Sequence, residues 1–177
     1  VGDIQTEPPR HKTLTPFGHS LVRAMNKKGM IIDLAHMEKN TALKVLEITE
    51  KPVMNSHTAI RRSGFDSNRF IDFEDAKGIA ETGGIIGAWP AGIGLSTLDD
   101  YIDQIFRTVD DLGINHVSLG TDMDATYKPV FDTYLRLPLL AGTLLQRGMH
   151  EEEAAKLLGG NFTRLFKATY NSQEYST

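Results

Sequence analysis

The 177-residue chain contains no cysteine. That excludes disulfides, cysteine-based zinc knuckles and thiol nucleophiles. It leaves the compartment open, since such a chain works in the reducing cytoplasm or the oxidising periplasm alike. No apolar run approaches the ~20 residues of a membrane span, and the opening does not read as a signal peptide. Clustered positive charge is scarce too. The densest stretches, Lys27-Lys28 and Arg61-Arg62, are only pairs on a chain of net charge −4. A nucleic-acid footprint needs a basic patch, so that class of partner is excluded. Internal repeats and low-complexity stretches are absent.

What remains is an ordinary globular composition, 40% hydrophobic and 24% charged, long enough for one domain with a real core. Residues 1–13 are polar, carry Glu7-Pro8-Pro9-Arg10 and show no periodicity. They read as a loop, and the opening at Val1 suggests that a further segment precedes it.

Beyond that loop the apolar period alternates between helix-like and strand-like. Helices are expected over Pro16–Lys28, Glu38–Glu50, Phe73–Thr82 and Leu98–Leu112. The first is N-capped by Thr15, and the last opens with a Thr97/Asp100 capping box. Strands are expected over Met30–His36, Val53–His57, Ile85–Trp89 and His116–Thr121. The tail reads as helices over Val130–Arg147 (kinked at Pro138), Glu151–Leu158 and Phe162–Tyr170, the last capped by Asn161. Four nearly all-apolar strands alternating with helices predict a parallel sheet buried on both faces.

Chemistry-bearing residues gather at the strand ends. His36 and His57 each close a strand and lie 21 residues apart (57 − 36) with one helix between them. A βαβ unit brings such ends together on the functional rim, where two neutral imidazoles can share a metal ion. Asp122, in Gly120-Thr121-Asp122-Met123-Asp124, is the candidate proton acceptor; Asp124 is placed to orient a loop or ligand. Arg69 lies on the loop beyond His57 over the same rim, where a lone loop arginine is more often solvated surface. Arg61 and Arg62 are weaker candidates. Asp33, a carboxylate within an apolar strand, supports a histidine or pairs with an arginine rather than serving as a ligand. His11, His19, His116 and His150 read as surface residues.

These motifs resemble the membrane (renal) dipeptidases, peptidase family M19. The likeness is carried by Leu14-Thr15-Pro16-Phe17-Gly18, Gly29 to His36, Pro52 to His57, Gly83-Gly84-Ile85-Ile86-Gly87, Leu119 to Asp124 and Leu158-Gly159-Gly160-Asn161-Phe162. The resemblance implies the C-terminal half of a (β/α)8 TIM-type barrel of the amidohydrolase-like, metal-dependent hydrolase kind. Residues 1–177 would then form a single region of four βα units, with the N-terminal half absent. It further implies two zinc ions in the complete site. His36 and His57 would ligate one of them, Asp122 would stand near the catalytic water and the substrate amine, and Arg69 would hold the substrate carboxylate. The implied substrate is a dipeptide or similar small amide.

The family's first-strand His-x-Asp pair and bridging glutamate have no counterpart here. A two-histidine set falls short of the three protein ligands usual in catalytic zinc sites. Two readings follow. One is a hydrolase completed by an N-terminal half-barrel polypeptide or by homo-oligomerisation. The other is a non-catalytic half-barrel acting as a binding or assembly module.

Overall fold

A computed structural model describes residues 1–170. Its first helix, α1 (Pro16–Lys27), starts where Thr15 Oγ1 accepts from the Gly18 amide at 3.1 Å, with proline in the first turn. The segment 30–37 follows, then α2 (Lys39–Ile48), β1 (Met54–Thr58), α3 (Phe73–Glu81) and β2 (Ile85–Ala88). Next come α4 (Leu98–Leu112), opened by the Thr97/Asp100 capping box, and β3 (Val117–Leu119). The tail carries α5 (Leu137–Gln146), α6 (Glu151–Ala155) and α7 (Asn161–Thr169).

The strands form one parallel sheet in the order β1-β2-β3, with Asn55 opposite Ile86 and Gly87 opposite Ser118. The expected strand Met30–His36 reduces to a parallel bridge between Asp33 and Met54, with amide bonds from Leu34 to Met54 and from Met54 to Ile32. It stays short because His36 turns into the left-handed region, φ 60°, and breaks the ladder.

Only β2 is buried at every position. In and just before β1, Val53 and Asn55 are buried while Met54 and Ser56 are half-buried, so one face of the sheet is partly open. The covered face packs two apolar clusters. Val22, Ile32, Leu34, Val45, Val53, Ala76 and Ile79 join the first three helices to the sheet. Tyr101, Ile105, Val117, Leu140, Leu144 and Leu157 join α4, α5 and the tail.

Three further expectations change. Pro138 lies in the first turn of α5 and begins that helix instead of kinking a longer one, because a missing N–H costs nothing there. Asn161 does not cap α7; its buried amide donates to the carbonyls of Ile114 and Val117 at 2.6 and 2.8 Å. His116 is half-buried rather than on the surface, with Nδ1 2.9 Å from the Gly84 carbonyl. Among the described residues no helix is long and apolar enough to cross a membrane.

Candidate metal and substrate site

The two histidines meet. His36 Nε2 lies 2.9 Å from His57 Nε2, their rings 4.8 Å apart and edge-on. Beyond them Gln5 Nε2 stands 3.4 Å from His36 Nδ1, and Ser56 Oγ stands 2.8 Å from His57 Nδ1. One set of donor directions satisfies the whole chain: Gln5 donates to His36, His36 to His57, and His57 to Ser56.

Local backbone irregularities aim these rings. In β1 the register shifts between Asn55 and Thr58, so Ser56 and His57 both oppose Gly87. This is a β-bulge, a device that re-aims a side chain next to a site. It turns the Ser56 carbonyl toward the neighbouring strands. A Cβ at Gly87 would fall 1.9 Å from that oxygen, and one at Gly120 would fall 2.0 Å from it. Glycine at both positions is therefore a steric requirement of the bulge.

Asp122 closes the group, with Oδ2 3.7 Å from His57 Nε2. Its φ is 47° and that of Asp124 is 74°, a conformation a few per cent of non-glycine residues adopt. Thr126 Oγ1 faces the carbonyls of Thr121 and Asp122 at 2.7 and 2.6 Å, and accepts from Trp89 Nε1 at 3.2 Å. The Trp89 ring in turn packs edge-on against both imidazoles, at 5.4 Å from His57 and 6.3 Å from His36. Left-handed residues at His36 and Asp122 cluster where strain gathers at functional sites.

Arg69 is exposed, and its guanidinium makes no hydrogen bond or ion pair among the described residues. Its loop is anchored instead through the backbone, where Thr58 Oγ1 donates to the Arg69 carbonyl at 3.2 Å. Arg61 is committed elsewhere, to Asp66 and Asp72 at 2.6 and 2.7 Å, and Arg62 pairs with Asp111. The His36 pKa is held below its usual value. Burial is the main cause, followed by the neighbouring His57 and the Arg69 charge, against the opposing pull of Asp122 and Asp33.

The donor set suits a metal ion. Two nitrogens on one tetrahedral ion stand roughly 3.3 Å apart when each bond is about 2.0–2.1 Å, close to the spacing of this pair. Loading His36 requires its ring proton to move to Nδ1, where Gln5 can accept it by turning its amide. Yet among the described residues no three His, Asp or Glu side chains are placed to hold a metal. Sequence reasoning missed Gln5, Ser56 and Thr126, and took Trp89 only as the last residue of a strand. Their roles depend on the bulge and on contacts between distant segments.

A model of the membrane dipeptidases, peptidase family M19, matches residues 2–176. The chain belongs to that family. The match runs over nearly the whole chain, which corrects the expectation of a likeness to the family's C-terminal half only. Dipeptidase 3 of Mus musculus is 31% identical over 173 residues, covering 92% of this chain and 34% of that protein. The chain spans 34–41% of the length of the first curated relatives it matches.

An amidohydrolase from Pseudomonas aeruginosa is 29% identical, with a TM-score of 0.83, over 96% of this chain and 61% of that one. A metallopeptidase from Rhodobacter sphaeroides, solved with a phosphinate mimic of the dipeptide L-Ala-D-Ala, superposes with a TM-score of 0.80. It is 23% identical over 88% of this chain and 47% of that one, a likeness of fold. The fold is thus amidohydrolase-like α/β with a small, unclosed parallel sheet.

Proposed function

We propose that this chain contributes part of the active site of a zinc-dependent dipeptidase. In this reading its sheet is a portion of a (β/α)8 barrel, and a further polypeptide segment or a second copy of the chain supplies the remaining metal ligands. The observation that carries the reading is the convergence of His36 Nε2 and His57 Nε2 at 2.9 Å with the Asp122 carboxylate beside them. Membership of a dipeptidase family supports the substrate class.

His36 and His57 hold one ion of a two-ion centre. Such an ion supplies the Lewis acidity that activates water and polarises a peptide carbonyl. The ionised Asp122 carboxylate anchors the substrate amine and then, on Oδ2, the oxygen facing His57, accepts the proton given up by the attacking water. Arg69, without a side-chain partner among the described residues, receives the carboxylate at the other end of a dipeptide. Trp89 walls the histidines on one side and excludes water from them.

The test is dipeptide hydrolysis with zinc, measured on the chain alone and after adding a polypeptide that supplies the missing ligands. The chain alone should be inactive, with turnover appearing on assembly and abolished by His57→Ala. Zinc-independent turnover, or turnover unaffected by His57→Ala, would contradict the reading. Specific binding without turnover in the assembled protein would favour a non-catalytic binding or assembly module, a role consistent with the incomplete ligand set.

A further inference from the structure

Asp33 stands at the open face of the sheet, exposed to solvent, yet its Oδ1 is engaged twice. It accepts from the Ala35 amide at 3.0 Å and from the Ser56 amide at 2.9 Å. Ala35 immediately precedes His36, and Ser56 immediately precedes His57. One carboxylate oxygen therefore joins the two backbone segments that present the two imidazoles.

The neighbouring ladder cannot do this. Its amide bonds run from Leu34 to Met54 and from Met54 to Ile32, and they stop where His36 turns left-handed and where the bulge at Ser56–His57 begins. Asp33 bridges the two segments where the ladder ends.

We propose that Asp33 is a positioning residue that fixes the spacing of His36 and His57. The inference rests on the proposed metal role of that pair and names a residue that sets its geometry without touching the ion. A charged acceptor bonded to two amides makes shorter and stronger bonds than a neutral one. Supporting groups of this kind typically change metal affinity by about 10–100-fold when removed.

The experiment compares Asp33→Ala, Asp33→Glu and Asp33→Asn in the 177-residue chain. The first readout is nitrogen-15 NMR of the imidazoles without metal. The wild-type pair should show two fixed, different tautomers, with the proton on Nε2 in His36 and on Nδ1 in His57. The second readout is cobalt(II) affinity by calorimetry. Asp33→Ala removes the acceptor and should average the tautomers and weaken cobalt binding at least tenfold. Asp33→Glu keeps the charge but displaces it by one methylene, and should do the same. Asp33→Asn keeps an oxygen in place and should stay within about threefold of wild type.

Fixed tautomers and unchanged affinity in Asp33→Ala would overturn the proposal. So would equal losses in Asp33→Asn and Asp33→Ala. If Asp33→Ala does not fold, Asp33→Glu decides, and wild-type behaviour there would overturn it. If the wild-type chain, without the further ligands, binds no cobalt, the tautomer readout decides the role of Asp33.

Discussion

Trp89 and Thr126 are joined by a hydrogen bond of 3.2 Å from the indole Nε1 to the threonine hydroxyl. It ties the residue after β2 to the loop after β3. The indole ring touches both imidazoles, and the hydroxyl reaches the carbonyl of Asp122. The single tryptophan of the chain thus packs on both histidines and is linked through Thr126 to the Asp122 backbone.

Replacing it should be costly. Trp89 is buried, 4% exposed, and truncation to alanine is expected to cost about 3–5 kcal/mol. Trp89→Phe keeps an edge contact but loses the bond to Thr126, which should cost about 1 kcal/mol. Chemical denaturation measures both. Equal losses in the two variants would show that ring packing contributes nothing.

The glycines beneath the bulge give a second prediction. Gly87→Ala places a methyl 1.9 Å from the Ser56 carbonyl oxygen, and backbone must shift to admit it. The expected destabilisation is about 1–3 kcal/mol, with a matching displacement of His57. Gly113→Ala is a useful contrast: it meets no atom, but its φ of 82° makes it a purely conformational change. Gly113→Ala should destabilise without altering His57 chemical shifts; movement of those shifts would weaken the steric account.

Arg69 should govern binding and not folding. Its side chain is exposed and unpartnered among the described residues. Arg69→Ala should leave the denaturation midpoint within about 0.5 kcal/mol of wild type. In an assembled, active protein it should raise KM roughly 10–100-fold, as loss of a charge-assisted carboxylate bond predicts. A fall in kcat at constant KM would remove Arg69 from the substrate end. Removing its charge should also let the His36 pKa rise toward its usual value, because Arg69 helps hold it down.

Asp75 gives the pH dependence. It is 6% exposed, its Oδ1 has no hydrogen-bond partner, and burial raises its pKa above 3.8. A carboxyl whose folded pKa is raised binds its proton more tightly when folded. Its favourable contribution is present in full below pH 3.8 and is lost as pH rises through the folded value. Asp75→Asn should therefore stabilise the chain at pH 7 by about 1 kcal/mol and lose that advantage near pH 3. A gain independent of pH would assign the effect to packing.

Much of this was legible in the sequence. The Thr15 cap and the Thr97/Asp100 box mark α1 and α4 at their observed starts, because capping is local chemistry. The meeting of His36 and His57 is legible because parallel neighbouring segments and one helical crossover leave few arrangements. The strand over Met30–His36 misleads, since apolar composition does not reveal the left-handed turn at His36. Burial of both sheet faces fails at Met54 and Ser56, which lack a covering layer among the described residues. Asp33 stands out as a carboxylate in an apolar segment, but its bond to the Ser56 amide, the Gln5 contact and the tryptophan's edge contacts arise between distant segments, for which residue patterns along one segment carry no signal.

The measurement that bears most directly on the site is a crystal structure of the zinc-soaked protein with anomalous data at the zinc edge. One ion is expected with both His36 Nε2 and His57 Nε2 at about 2.0–2.1 Å, the His36 proton displaced to Nδ1 and the Asp122 carboxylate beside the pair. A zinc ion held elsewhere, with His36 Nε2 and His57 Nε2 hydrogen-bonded to each other, would contradict the assignment.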